Sequence, residues 1–175
     1  VGNEVRHTAE HAGLLDMTAI ANCRISGPGA EAFLDRLTAN KLPKGIGRVS
    51  LSHALTERGG VHSEYTIQRE SADSFYVVSA GAGQRLDHDW IKKHMPDDGS
   101  VRFDNLTNSI GVLVLAGPKS RDILQKLTRT DLSNEGFPWL SSRLIDVNMA
   151  PAMAFRMNYV GELGWELHHP IEYQN

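Results

Sequence analysis

Apolar and polar positions alternate along this chain with two different periods, and the places where the period changes mark out its elements. Ala30, Phe33, Leu34 and Leu37 fall on one stripe of a helix, and Ser26-Gly27-Pro28 ahead of them places proline at the first helical position. Asn40 and the loop 41–44, with Pro43 inside it, end that helix. Residues 51–56 and 61–68 then read as strands joined by Glu57-Arg58-Gly59-Gly60, a glycine-bearing hairpin connection. Phe75-Tyr76-Val77-Val78 is a compact apolar strand, and Ala80-Gly81-Ala82-Gly83 turns it into a helix with Leu86, Trp90, Ile91 and Met95 on its inner stripe. Residues 101–106 and 110–115 read as strands, and Gly117-Pro118 opens a helix with Ile123, Leu124 and Leu127 inside. Residues 144–147 and 153–159 complete the strands before a last one that holds His168 and His169; at the N-terminus, residues 4–11 are weakly helical and 14–18 extended.

Helices interspersed among hairpin-connected strands predict an α+β domain with antiparallel sheets and flanking helices, organised as two ferredoxin-like split β-α-β units in tandem. No internal sequence repeat and no linker stands out, which predicts a single compact domain over residues 1–175. At 175 residues and 41% apolar content, the chain is long enough to bury a continuous core.

Charge and cysteine usage narrow the function classes. The formal net charge is -3, with lysine and arginine spread along the chain, so neither a nucleic acid nor a membrane surface is an expected partner. The single cysteine, Cys23, excludes an intrachain disulfide and fits a buried thiol in a reducing, cytoplasmic or organelle-matrix compartment. Gly81 and Gly83 lack the third glycine and the distal acidic residue of a dinucleotide fingerprint. The eight histidines show no HExxH or other ligand spacing, which leaves no expected metal site and treats them as ordinary surface residues. Neither a GxSxG elbow nor a GxxxxGK phosphate loop is present.

Two stretches carry candidate chemistry. In Asn158-Tyr159-Val160-Gly161-Glu162-Leu163-Gly164-Trp165-Glu166, two glycines let the backbone turn tightly and approach a ligand, and Glu162 between them presents a carboxylate suited to adjacent N–H donors on a planar molecule. The same spacing fits a plain hairpin turn. In the strand 61–68, alternation places Val61, Ser63, Tyr65 and Ile67 on a packing face and His62, Glu64, Thr66 and Gln68 on the other. That second face is either a solvated strand surface or the setting of a positioned proton acceptor, Glu64.

Residues 5–17, Gly59-Gly60-Val61-His62-Ser63-Glu64-Tyr65-Thr66, Leu115-Ala116-Gly117-Pro118 and Tyr159-Val160-Gly161-Glu162-Leu163-Gly164-Trp165-Glu166 together resemble the folate-binding domain of the glycine-cleavage T-protein (aminomethyltransferase) superfamily, nearest its dimethylglycine dehydrogenase branch. The resemblance covers essentially the whole chain. It implies tetrahydrofolate as the bound cofactor, with Glu162 accepting hydrogen bonds from the pterin N–H groups and with Tyr159, Gly161, Leu163 and Gly164 in the same wall. It further implies that Glu64, where many relatives have aspartate, accepts a proton as a folate nitrogen takes up the methylene carbon of an iminium, with Thr66 and Tyr65 near the pterin. The two carboxylates would then serve one pteridine ring. The dehydrogenase branch carries an FAD-binding module ahead of this domain and a barrel after it, so the resemblance implies a piece of a longer flavoenzyme, ending short at Asn175 and holding FAD in cis in the parent. The product of such a parent is 5,10-methylenetetrahydrofolate, and its setting is the cytoplasm, or the mitochondrial matrix in a eukaryote. Two related alternatives are a T-protein aminomethyltransferase and a non-enzymatic folate-binding-like module.

Overall fold

The computed structural model describes residues 1–159 and 161–174; Val160, inside the second motif, and Asn175 lie outside the described residues. The chain divides into two compact units, one of residues 1–18 and 109–175, the other of residues 19–108.

The second unit runs β2 (Ala21–Ser26), α2 (Ala30–Leu37), β3 (Val49–Leu55), β4 (Val61–Arg69), β5 (Ser74–Ser79), α3 (Gln84–His94) and β6 (Arg102–Asn105). Its antiparallel sheet has the order β3-β4-β5-β2-β6. One face carries Cys23, Ile25, Tyr65, Ile67, Phe75 and Val77, which join Phe33 and Leu34 of α2 and Ile91 of α3 in one core. Contiguous burial at about 25 cal/mol per Å² of apolar surface makes that core the unit's main stabilising term.

The other unit runs α1 (Gly2–Glu10), β1 (Gly13–Asp16), then β7 (Ile110–Ala116), α4 (Ser120–Gln125), β8 (Ser142–Val147), β9 (Ala150–Phe155) and β10 (Gly164–Pro170). Its antiparallel sheet has the order β1-β7-β10-β9-β8. Trp165 and Leu167 of β10 pack with Leu124 of α4, Leu132 and Phe137 in a second core.

The two sheets share one topology. In each, the strand that leads through Gly-Pro into a helix (β2 or β7) pairs with the fourth strand of its series (β5 or β10), and three hairpin-related strands follow outward from it. The fifth position is filled by β6 in one unit and by the N-terminal β1 in the other, both antiparallel to the leading strand. The turning glycines, Gly27 and Gly117, each have φ +114°. The α+β class with antiparallel sheets is therefore as the pattern predicts.

Several local expectations are corrected. Strand β2 is an element beyond those expected: apolar Ala21, Cys23 and Ile25 alternate with polar Asn22, Arg24 and Ser26, and all six positions are buried or half-buried. Helix α2 begins at Ala30, with Gly29 as its cap, so Pro28 lies before the helix and not at its first position. Leu86, Ile123 and Leu127 are exposed; on α3 and at its C-terminal cap, Trp90, Ile91 and Met95 pack against the core as expected, and Asp87 and His88 are buried beside them. The strand expected over 153–159 spans Ala150–Phe155, and Tyr159 is 83% exposed in the turn beyond it. Nor are the histidines uniformly at the surface: His88, His168 and His169 are buried, because α3 and the central strand β10 are covered on the faces they occupy.

Candidate functional site

The Glu162 loop is tied at both ends by hydrogen bonds to neighbouring segments. Strand β9 ends at Phe155, and the Arg156 guanidinium donates to the Phe137 carbonyl at 2.6 Å and to Asn134 Oδ1 at 2.6 Å, tying the chain just ahead of the loop to the segment 134–137. Past the loop, the Leu163 carbonyl accepts from the Gly117 N–H at 2.7 Å and from the Ser120 hydroxyl at 3.2 Å, at the turn into α4. Between these anchors the Gly161 N–H bonds the Asn158 carbonyl at 3.4 Å, and Gly161 has φ +82°, a left-handed conformation that a Cβ would strain. A Cβ on Gly164 would sit 2.9 Å from the Leu115 carbonyl, so β10 can pair with β7 this closely only with glycine there. Glu162 and Leu163 are half-buried, Gly161 exposed and Gly164 buried, so the loop presents the Glu162 carboxylate while its supports are internal.

On β4, Glu64 is exposed and Thr66 half-buried on one face, with Leu51 and His53 of β3 opposite them in register. The Glu64 Oε2 lies 3.1 Å from His53 Nε2. Tyr65 is 1% exposed, on the opposite face inside the core, where burial pushes its phenol up to about 12. It stands beside Glu64 in sequence only. The structure therefore brings Glu64 and Thr66 together on one surface and places Tyr65 beneath it.

The alternation expected for this strand breaks at one residue. Ala54 pairs with Ser63 and Leu55 with Val61, which leaves His62 as the extra residue of a β-bulge. Its ring turns away from the Glu64 face, stacks on Trp90 of α3 at 3.9 Å and meets the Ser63 hydroxyl at 2.6 Å. Ser63 in turn donates to the buried Asp87 of α3 at 2.5 Å. Val61, expected to pack, is exposed as a result. The imidazole that faces Glu64 is His53, a residue the sequence left among ordinary surface histidines; cross-strand register, which pattern alone does not supply, is the signal that finds it.

Among the described residues no group of histidine, cysteine, aspartate and glutamate is arranged to hold a metal ion, and no helix is long and apolar enough to cross a membrane.

Two antiparallel five-stranded sheets of one strand order, one of them carrying a glycine-flanked acidic loop that closes onto a Gly-Pro helix turn, make an α+β architecture. Residues 1–175 match the GCVT N-terminal domain family, and the chain belongs to it. It is 36% identical to dimethylglycine dehydrogenase, mitochondrial, of Rattus norvegicus over 173 residues, covering 98% of this chain and 20% of the rat protein. It is 30% identical to the aminomethyltransferase of Chloroherpeton thalassium over 166 residues, covering 93% of this chain and 45% of that enzyme. The crystal structure of glycine cleavage system aminomethyltransferase T from Bartonella henselae superposes with a TM-score of 0.83 at 23% identity, over 97% of this chain and 45% of that one, a likeness of fold. The chain thus spans a fifth to under half the length of these relatives.

Proposed function

We propose that this chain binds tetrahydrofolate and serves one-carbon transfer within a dimethylglycine or sarcosine dehydrogenase-like flavoenzyme, in which the carbon of an oxidised N-methyl amine ends as 5,10-methylenetetrahydrofolate. The observation that carries the reading is the 36% identity to dimethylglycine dehydrogenase over nearly the whole chain, together with a Glu162 loop anchored at Leu163 by the contacts of its carbonyl. Donor chemistry supports it. A half-buried carboxylate beside a side-chain-free Gly161 suits adjacent N–H donors of a flat heterocycle, and such charge-assisted bonds are about twice as strong as neutral ones.

In this reading Glu162 holds and orients the pterin, with Tyr159, Gly161, Leu163 and Gly164 forming the same loop. Tetrahydrofolate, when bound, supplies the nitrogens that receive the one-carbon unit. Glu64 accepts the proton released there at a carboxylate oxygen, and Thr66 on the same strand face offers a hydroxyl to the ligand. Tyr65 supports the strand from the core. FAD belongs to a separate module of the parent, where it supplies amine oxidation, and nothing in this chain's own residues is assigned to it.

Isothermal titration of tetrahydrofolate tests the reading. Glu162→Ala is expected to weaken binding by about 1.5 to 3 kcal/mol, the loss of a hydrogen-bonded charged partner. Equal affinity in wild type and variant would overturn the assignment. The 30% identity to an aminomethyltransferase favours a second reading in which the one-carbon donor is an aminomethyl group on a lipoyl-bearing protein. Turnover of such a protein by the full-length parent, with no oxidation of dimethylglycine, would select it.

A further inference from the structure

We infer that His53 is a positioning residue for Glu64, holding one carboxylate oxygen so that the other is presented to the ligand; this rests on the folate reading. The two residues are direct register partners on β3 and β4, with Nε2 3.1 Å from Oε2. Partners in such a cross-strand pair share one face of the sheet with Cβ atoms about 5 Å apart, so an imidazole can reach a glutamate carboxylate without distorting either strand.

Three observations give the contact a purpose beyond stability. Glutamate has one more rotatable bond than aspartate at this position, and an untethered exposed glutamate samples several rotamers, so its carboxylate is not aimed by the backbone alone. The pair is open to solvent, with side chains 43% and 51% exposed, and ion pairs of that kind contribute little to folding free energy. The competing imidazole is removed, because the bulge turns His62 off this face and into its contacts with Trp90 and Ser63. With Oε2 engaged by His53, Oε1 is the oxygen left to face a ligand beside Thr66 and Leu51, the next register pair on the same surface.

The test is a double-mutant cycle read by anaerobic titration with tetrahydrofolate, using His53→Ala, Glu64→Gln and the double variant, with His53→Gln as the conservative replacement that keeps an N–H donor. His53→Ala should weaken binding about fivefold, the scale of an exposed charged contact, with an unchanged melting temperature. His53→Gln should restore part of the loss. In the Glu64→Gln background, His53→Ala should have no further effect. Additive losses, or a His53→Ala affinity equal to wild type while wild type binds normally, would overturn the role of His53 alone. Absence of binding by the wild-type chain would instead remove the folate reading and this inference with it.

Discussion

Cys23 and His88 lie in the second unit, and both are buried against their chemistry. The Cys23 thiol is 3% exposed, and burial, reinforced by the Asp87 charge, pushes it up to about 12. Only a thiolate reacts quickly with disulfide reagents, so a chromogenic thiol titration at pH 8 should read no reactive cysteine in the native chain and one after denaturation. A full native signal would contradict the burial. His88 is held below its ordinary value mainly by burial, with Lys92 adding like-charge repulsion against the weaker pull of Asp87 and Asp89. An unfolded histidine takes up a proton near pH 6.5, whereas the folded ring resists it, so the stability contributed by the neutral ring is complete above that pH and is lost as pH falls below it. The melting temperature of wild type should therefore fall more between pH 7 and pH 5 than that of His88→Leu; parallel curves would show the ring is not responsible. The buried Cys23 thiol is as the sequence suggests, whereas the burial of His88 was not legible in it. The histidines carry no ligand spacing, and a buried histidine looks like a surface one until the element above it is known.

At the level of elements, the glycines of the two Gly-Pro turns are tightly constrained positions. A Cβ on Gly117 would stand 2.5 Å from the Thr8 carbonyl and 2.7 Å from that of His11; on Gly27 it would stand 2.4 Å from the Ser100 carbonyl. With φ +114° at both, Gly117→Ala and Gly27→Ala should each cost about 1 to 3 kcal/mol in strain alone, before the clash with backbone is counted. Urea unfolding of either variant at wild-type stability would contradict these placements. The Gly-Pro pairs and the hairpin at residues 56–60 were readable in advance because turn chemistry is local. Strand β2 has a six-residue apolar–polar beat, but the covering of its polar positions Asn22, Arg24 and Ser26 by neighbouring segments is not visible in that beat. The same limit applies to the candidate site. The glycine spacing around Glu162 announces the loop, but the bulge at His62 and the His53 contact to Glu64 depend on which residues of β3 face β4. Alternation assigns faces and stops at an inserted residue.

For the molecule as a whole, the sequence pointed to tandem β-α-β units without revealing that both sheets follow one strand order. The reason is the fifth strand, which comes from β6 in one unit and from the chain's first strand in the other, so no repeat of fixed length records the likeness. The two halves also differ in helix content: α2 and α3 lie in the series from β2 to β6, and only the short α4 in the series from β7 to β10.

The placement of β1 also orders events in time. Asp16 must find Leu113 across the entire length of the other unit, and closing a longer loop costs more entropy. As the polypeptide leaves the ribosome from its N-terminus, every strand of the unit formed by residues 19–108 emerges before β7 does, so that sheet can assemble while Leu14 and Leu15 still await a neighbour. Once it has folded, the gap β1 must bridge is a compact body and no longer a random coil, which makes the later closure the easier step.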